Sequence, residues 1–247
     1  MNILFPPKRI VSLVPSQTEL LHYLGLEEEV IGITKFCIHP DSWFRHKTRI
    51  GGTKQLHVDK IKALQPDLII ANKEENEQSQ VEALMQHFPV WTSDIHTLEE
   101  ACMMIEQVGA ITGRTAAAWQ LSHTIQALFA ALPRKMQPVD TAYFIWRDPW
   151  MVAGGDTFIH HMLERCGFRN VFAQQPRYPS IELDTITQAK LVLLSSEPYP
   201  FKAQHVAEIK AKAPDAQVKL VDGEMFSWYG SRLLQAPDYF TQLLSSL

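Results

Sequence analysis

Apolar positions along this chain fall into two alternating patterns: short β-branched runs, and longer stretches spaced at three- and four-residue steps. The longest of the second kind is residues 115–132, TAAAWQLSHTIQALFAAL. Ala118, Leu121, Ile125, Leu128, Phe129 and Leu132 recur there with helical period. Gly113 stands just before it, and Pro133 stops it because proline cannot donate to the helical ladder. At ~1.5 Å rise per residue such a helix is ~27 Å long. It contains no Asp, Glu, Lys or Arg. A surface helix ordinarily carries a charged outer face, so this one is expected to have protein on more than one side and to join two lobes.

On either side the pattern reads as αβ units. Residues 10–14, 30–34, 68–71 and 90–93 are short buried-strand signals. Between them lie helical stretches over 17–24, closed by Gly25, over 59–64, and from Asn76 to about His87; another ends near Gly113. Ser16 with Glu19, and Thr97 with Glu100, have the spacing of capping boxes. After the long helix, strands are expected at 141–146, 191–195 and 218–221. Helices are expected from Gly154-Gly155-Asp156 to Cys166, over 183–189, over 203–213, and from about Ser231 onward. Strands alternating with helices imply parallel sheets covered by helices. The organisation expected is therefore an N-terminal αβ lobe (1–114), a connecting helix (115–137) and a C-terminal αβ lobe (138–247). A weak internal repeat links the lobes: Asp59-Lys60-Ile61 precedes one strand as Asp184-Thr185-Ile186 precedes another. Glu74 and Glu197 each follow six residues after that strand's first leucine.

Length and charge narrow the function classes. With 247 residues the chain can bury a sizeable core as one domain or two. A net charge of -4 and the lack of a basic stripe argue against nucleic acid. Cys37, Cys102 and Cys166 are widely spaced and form no CxxC, so neither a disulfide framework nor a thiolate metal site is indicated. No run approaches the ~18 apolar residues of a membrane span. The opening MNILFPPKRIVSLV places two prolines where an export signal needs an unbroken apolar core. A cytoplasmic location therefore stays open on the sequence as given.

Chemistry-bearing motifs are sparse. GxSxG, a Walker loop and GxGxxG are absent, no acid–base pair stands out, and no catalytic residue is assigned. Cys37-x-His39 and His160-His161 invite a metal reading. Helical neighbours point ~100° apart, however, and no compact ligand set closes a site. Gly154-Gly155-Asp156 can be read as an anion-accepting helix start or, more ordinarily, as a tight entry turn.

At RIVSLVPSQTELLHYLGL, HVDKIKALQPDLIIANKEEN and GGDTFIHHMLERCGFRNVF the sequence resembles the helical-backbone substrate-binding proteins of ABC importers. This family includes cobalamin, siderophore and haem binders, and the cobalamin branch is the most similar. The resemblance runs from about Arg9 to Leu244. It implies two αβ lobes on one rigid helix and a bulky metal chelate, corrinoid-like, held in the cleft as cargo, with no intrinsic cofactor. Iron-siderophore or haem binding, or a cytosolic binding or sensor module on the same fold, are the alternatives. By matched position it implies ligand contacts at Pro15, Ser16, Phe36, His39, Asn72, Trp146, Arg147, Trp150, Phe226, Trp228 and Tyr229. Asn72 stands where cobalamin binders can carry tryptophan. Flat aromatic faces in this set suit a planar macrocycle. Arg147 either pairs with an anionic ligand group or forms a surface ion pair with Asp148 or another acid. The resemblance further implies a periplasmic location, a monomer, and docking of Glu74 or Glu75 in one lobe and Glu197 in the other onto basic residues of an ABC permease dimer.

Overall fold

The computed structural model describes residues 5–133 and 137–247 of the chain. The chain is α/β with two lobes, each a mainly parallel sheet flanked by helices. The first unit runs to Ile95, resumes over Glu99–Gln126 and includes Tyr229–Arg232. The second comprises His96–Leu98, Ala127–Trp228 and Leu233–Leu247.

In the first unit the order is β1 (Ile10–Ser12), α1 (Pro15–Tyr23), β2 (Val30–Ile33), α2 (Asp41–His46), β3 (Thr48–Arg49), α3 (Val58–Leu64), β4 (Leu68–Asn72), α4 (Gln78–Met85), β5 (Val90–Ser93) and α5 (Leu98–Thr112). Its five strands are all parallel in the order β3-β2-β1-β4-β5. Every residue of β4 is buried, as befits an inner strand covered on both faces. Val11, Leu13, Ile61, Ile69, Ala71 and Leu84 form the core on one side of this sheet.

The helix expected to connect the lobes is α6 (Thr115–Ala130), which lies in the first unit to Gln126 and in the second from Ala127. Of the connecting segment 115–137 expected from sequence, residues 134–136 lie outside the described residues. The second unit holds β6 (Val139–Trp146), β7 (Met151–Val152), α7 (Phe158–Arg165), β8 (Phe168–Asn170), a 3-10 turn at Leu183–Ile186, β9 (Leu191–Ser195), α8 (Ala203–Lys212), β10 (Gln217–Val221), α9 (Glu224–Ser227) and α10 (Ala236–Ser245), while a 3-10 turn at Ser231–Leu234 begins in the first unit and ends in the second. The sheet order is β10-β9-β6-β7, with β8 also on β6. All pairs are parallel except β6 with β7.

Two local expectations are corrected. Helix α1 begins at Pro15, with Val14 as its N-cap and no side-chain cap. Proline suits the first turn because its missing N–H would have no helical partner there. Ser16 therefore lies inside the helix, and no capping box forms. Glu19 instead takes a bidentate pair from Arg232, at 2.7 and 3.1 Å. Helix α6, expected to have protein on several sides, buries one stripe only: Ala118, Leu121, Ser122, Ile125 and Phe129. Its other face is open but neutral, with Gln120, His123 and Thr124 exposed and Trp119 56% exposed, its ring 3.9 Å from that of His123. Neutral hydrogen-bonding groups meet water there without charge, so an absence of charge does not imply an absence of solvent.

The one-sided burial sets a contrast between two positions on α6. Leu121→Asp places an unpaired carboxylate in the buried stripe and is expected to cost about 3 kcal/mol or more. Trp119→Ala on the open face is expected to change stability by ~0.5 kcal/mol or less. Urea unfolding of both variants checks this; equal losses would show that the two faces are not distinct.

Candidate functional site

The loops that follow the strands hold most of the residues singled out in the sequence, so the ends of β4 and β9 are the place to begin. Backbone groups leaving a buried strand lose their ladder partners and must find others. At the end of β4, Asn72 supplies them. Its Oδ1 accepts the N–H groups of Glu74 and Glu75 at 2.9 and 3.0 Å. Its Nδ2 donates to the carbonyl and hydroxyl oxygens of Ser93 at 3.1 and 3.0 Å, and its own N–H donates to Asn76 Oδ1. Asn76 Nδ2 then reaches the carbonyls of Leu13 and Thr53. Asn72 is 1% exposed. Its side chain is committed to the turn, which also explains why a short amide stands at this position.

At the end of β9, Ser195 does the equivalent work. Its Oγ accepts the N–H of Glu197 at 3.3 Å and the phenol O–H of Tyr143 at 3.1 Å, and donates to the Glu197 carbonyl. Glu74 and Glu197 thus both sit two residues beyond a strand-end side chain that binds their N–H. The sequence repeat has this physical basis. Both glutamates are half-buried, as is Glu75. Lys54 Nζ donates to the Glu74 carbonyl at 2.6 Å.

Glu197 is more constrained than a solvated loop acid. Its Oε1 accepts from Ser227 Oγ and from Trp228 Nε1, both at 2.8 Å. A residue expected in docking is therefore bonded directly to one expected in ligand contact. Burial lifts the Glu197 carboxyl above the ordinary glutamate range, Glu224 and Asp222 push the same way, and the bonds from Ser227 and Trp228 oppose it.

The aromatic candidates separate by environment. Phe36, after β2, is 51% exposed, with Lys35 Nζ 5.1 Å from its ring centre. Trp146, at the end of β6, is 39% exposed and meets Tyr199 edge-on at 5.8 Å. Phe226 is fully buried against Tyr143 and Phe240, at 5.0 and 4.7 Å, and is a core residue. Trp150 is half-buried and stacks on Phe201. Trp228 and Tyr229 are both buried, and Tyr229 belongs to the short segment of the first unit that follows. Pro15 and Ser16 form the first turn of α1, and His39 is half-buried in the loop after β2.

Arg147 is committed to acids. It bonds Asp148 at 2.8 Å and Glu208 at 2.8 and 3.1 Å, and its guanidinium lies over Trp150. Of the two readings of this residue, the ion pair is the one present. Gly154 and Gly155 likewise have their N–H groups occupied, by the carbonyls of Arg177 and Gln175 at 2.8 Å each. A Cβ on either glycine would fall about 2 Å from a backbone oxygen of the 173–177 segment. They serve close backbone packing, and Thr157 caps α7. Among the described residues no three His, Cys, Asp or Glu side chains gather as a metal site, and no helix is long and apolar enough to cross a membrane. Burial pushes the Cys166 thiol up to about 12, and Cys37 is raised by burial too. Neither is a poised nucleophile.

Sequence reading did not bring out Tyr199, Glu208, Gly223 or Ser227, which surround these loops. None of the four stands in a motif, and the close approach of Gly223 to Ser195 and Glu197 is created by the fold.

The profile of the periplasmic binding protein family matches residues 10–194. This chain belongs to that family. The vitamin B12-binding protein of Vibrio campbellii is 26% identical over 197 residues, covering 77% of this chain and 71% of its own. Two crystal structures from Vibrio cholerae share the fold. The periplasmic vitamin B12-binding protein has a TM-score of 0.81 at 21% identity, with 98% of each chain covered. The periplasmic haem-binding protein has a TM-score of 0.81 at 21% identity, covering 96% of this chain and 98% of its own. Membership makes this a substrate-binding protein of the ABC importer type, not an enzyme. Its small-molecule ligand is cargo rather than a resident cofactor, and its partner is a transporter. The family is periplasmic or lipoprotein-anchored.

The raised Glu197 carboxyl has a measurable consequence. A proton is bound more tightly in the folded state than in the unfolded one, so the ionised group costs stability. That cost is absent below the ordinary glutamate value and fully present above the raised one. Glu197→Gln, which keeps an acceptor oxygen, is expected to be more stable than wild type at pH 7, with the difference vanishing near pH 4. Urea unfolding at the two pH values measures it; a gap that widens toward acid would refute the assignment.

Proposed function

We propose that this protein binds a bulky metal chelate, a corrinoid in the first instance, and delivers it to an ABC permease. The observation that carries this reading is the pair of open aromatic faces on strand-end loops, Phe36 after β2 and Trp146 at the end of β6. Exposure alone would not single them out, since Trp119 on α6 is more exposed than either; their place on loops after strands does, and flat π-faces suit a flat macrocycle. The names of the relatives support the same class, since vitamin B12 and haem are both large metal macrocycles. Pro15, Ser16, His39 and Trp228 are further contact candidates. Asn72, Arg147, Trp150 and Phe226 have their polar groups or rings engaged within the protein and act behind the contact surface.

A visible-absorption and tryptophan-fluorescence titration with cyanocobalamin, ferric haem and a ferric hydroxamate tests the ligand class. Wild type is expected to bind at least one of them, and Trp146→Ala to weaken that binding by roughly tenfold, the order of about 1.4 kcal/mol. No binding of any of the three would overturn the chelate reading.

Docking is proposed to use Glu74 and Glu75 on one unit and Glu197 on the other, against basic residues of the permease. Their equivalent strand-end turns support this reading. Exposed ion pairs contribute ~0–1 kcal/mol each, but two engaged together reinforce one another. Glu74→Lys with Glu75→Lys is expected to reduce association with the cognate permease in nanodiscs, most at low salt, while ligand titrations stay near wild type. Unchanged association would remove these acids from docking.

A further inference from the structure

Glu197 offers its two carboxylate oxygens to different surroundings. Oε1 accepts both Ser227 Oγ and Trp228 Nε1. Among the described residues Oε2 accepts no hydrogen bond, so a proton can add there without displacing either donor from Oε1. The backbone makes this arrangement tight. A Cβ on Gly223 would lie 2.3 Å from Ser195 Oγ and 2.7 Å from Glu197 Cγ, so only glycine lets the 222–228 segment approach the 195–197 turn so closely. Gly223 N–H also donates to Ser196 Oγ at 2.9 Å. Two loops are thus pressed together, with one carboxylate closing the contact by holding an indole.

We propose that Glu197 is the positioning residue of Trp228: its Oε1 fixes the indole in the orientation used for ligand, and protonation of the same carboxylate loosens that hold. The ligand part rests on the reading of Trp228 as a contact residue. Trp228 is almost wholly buried, and a buried indole N–H needs an acceptor. Among the contacts described, the carboxylate is that acceptor, and a charged acceptor orients a donor more strongly than a neutral one. Protonation at Oε2 leaves Oε1 as a neutral carbonyl oxygen, a weaker acceptor for the same indole. The titratable groups around the carboxylate are Asp222 and Glu224 from the loop and α9, and the Tyr143 phenol from β6, which shares Ser195 with the Glu197 turn. Tyr239 lies behind Asp222, its hydroxyl accepting the Asp222 N–H at 2.8 Å. The two acids favour the protonated form.

Two readouts test the proposal on the whole chain. In nitrogen-15 spectra the six indole N–H signals include one that disappears in Trp228→Phe. That signal is expected to move upfield as pH falls, with a midpoint above that of an ordinary glutamate. It should stay fixed in Glu197→Gln, and Asp222→Asn or Glu224→Gln should lower its midpoint without abolishing the movement. A Trp228 signal insensitive to pH in wild type, or one that still titrates in Glu197→Gln, overturns the proposal. The second readout is cyanocobalamin and ferric haem affinity. Glu197→Ala and Trp228→Phe are each expected to lose roughly tenfold or more, as for a hydrogen bond to a charged group, with Glu197→Gln restoring most of the loss. Glu197→Ala binding like wild type while Trp228→Phe does not would overturn the positioning role. If wild type binds neither probe, the ligand reading fails on its own, and the indole signal still decides whether Glu197 holds Trp228.

Discussion

The candidate docking acids of this protein owe their placement to how a buried parallel strand is allowed to end. Strands β4 and β9 are covered on both faces; the first N–H beyond each still pairs with the neighbouring strand, Lys73 with the Ser93 carbonyl and Ser196 with that of Val221, and the next ones must find other acceptors. In each sheet one short polar side chain resolves the problem, Asn72 in the first and Ser195 in the second. Because the solution is the same, the chain leaves both strands in a similar way and brings a glutamate to the same place beyond each. Of the candidate residues, Asn72, Glu74, Glu75 and Glu197 belong to these two turns. A substitution at Asn72 would therefore disturb Glu74, Glu75, Asn76 and Ser93 together.

The elements with strong periodicity were legible in the sequence. The inner strands, the 115–132 helix and the α/β alternation follow from hydrophobic spacing, and the family resemblance rests on motifs that span most of the chain. The two-residue strands β3 and β7 and the single-turn helix α9 were not legible, because elements that short are created by their neighbours rather than by local pattern. The α1 start was misread because Ser16 and Glu19 have capping spacing, whereas Pro15 takes the first turn and Arg232, far away in sequence, claims the glutamate.

At the candidate site, residue type was legible in the sequence and environment was not. Phe36 and Trp146 were identified as aromatic and are open. Phe226 was identified on the same ground and lies in the core, since ring chemistry alone does not distinguish packing from contact. Asn72 and Arg147 carry polar groups that a sequence cannot assign to ligand or to protein. Their partners, Ser93 for one and Glu208 for the other, come from remote segments. The bond between Glu197 and Trp228 spans only 31 residues, yet it forms where Gly223 lies against the 195–197 turn too closely for a side chain.

The glycine pair at 154 and 155 carries an implication for how such chains can diverge. Both residues are excluded from bearing a side chain by the carbonyls of the 173–177 segment, which also take their N–H groups. Any descendant that loses either glycine must reroute that segment at the same time, because neither partner can yield alone. The two stretches are separated by the whole of α7 and β8, so no single substitution makes the change. Variation should accumulate freely in the exposed helices while this crossing stays unaltered, a fixed point by which distant relatives of the fold can be brought into register.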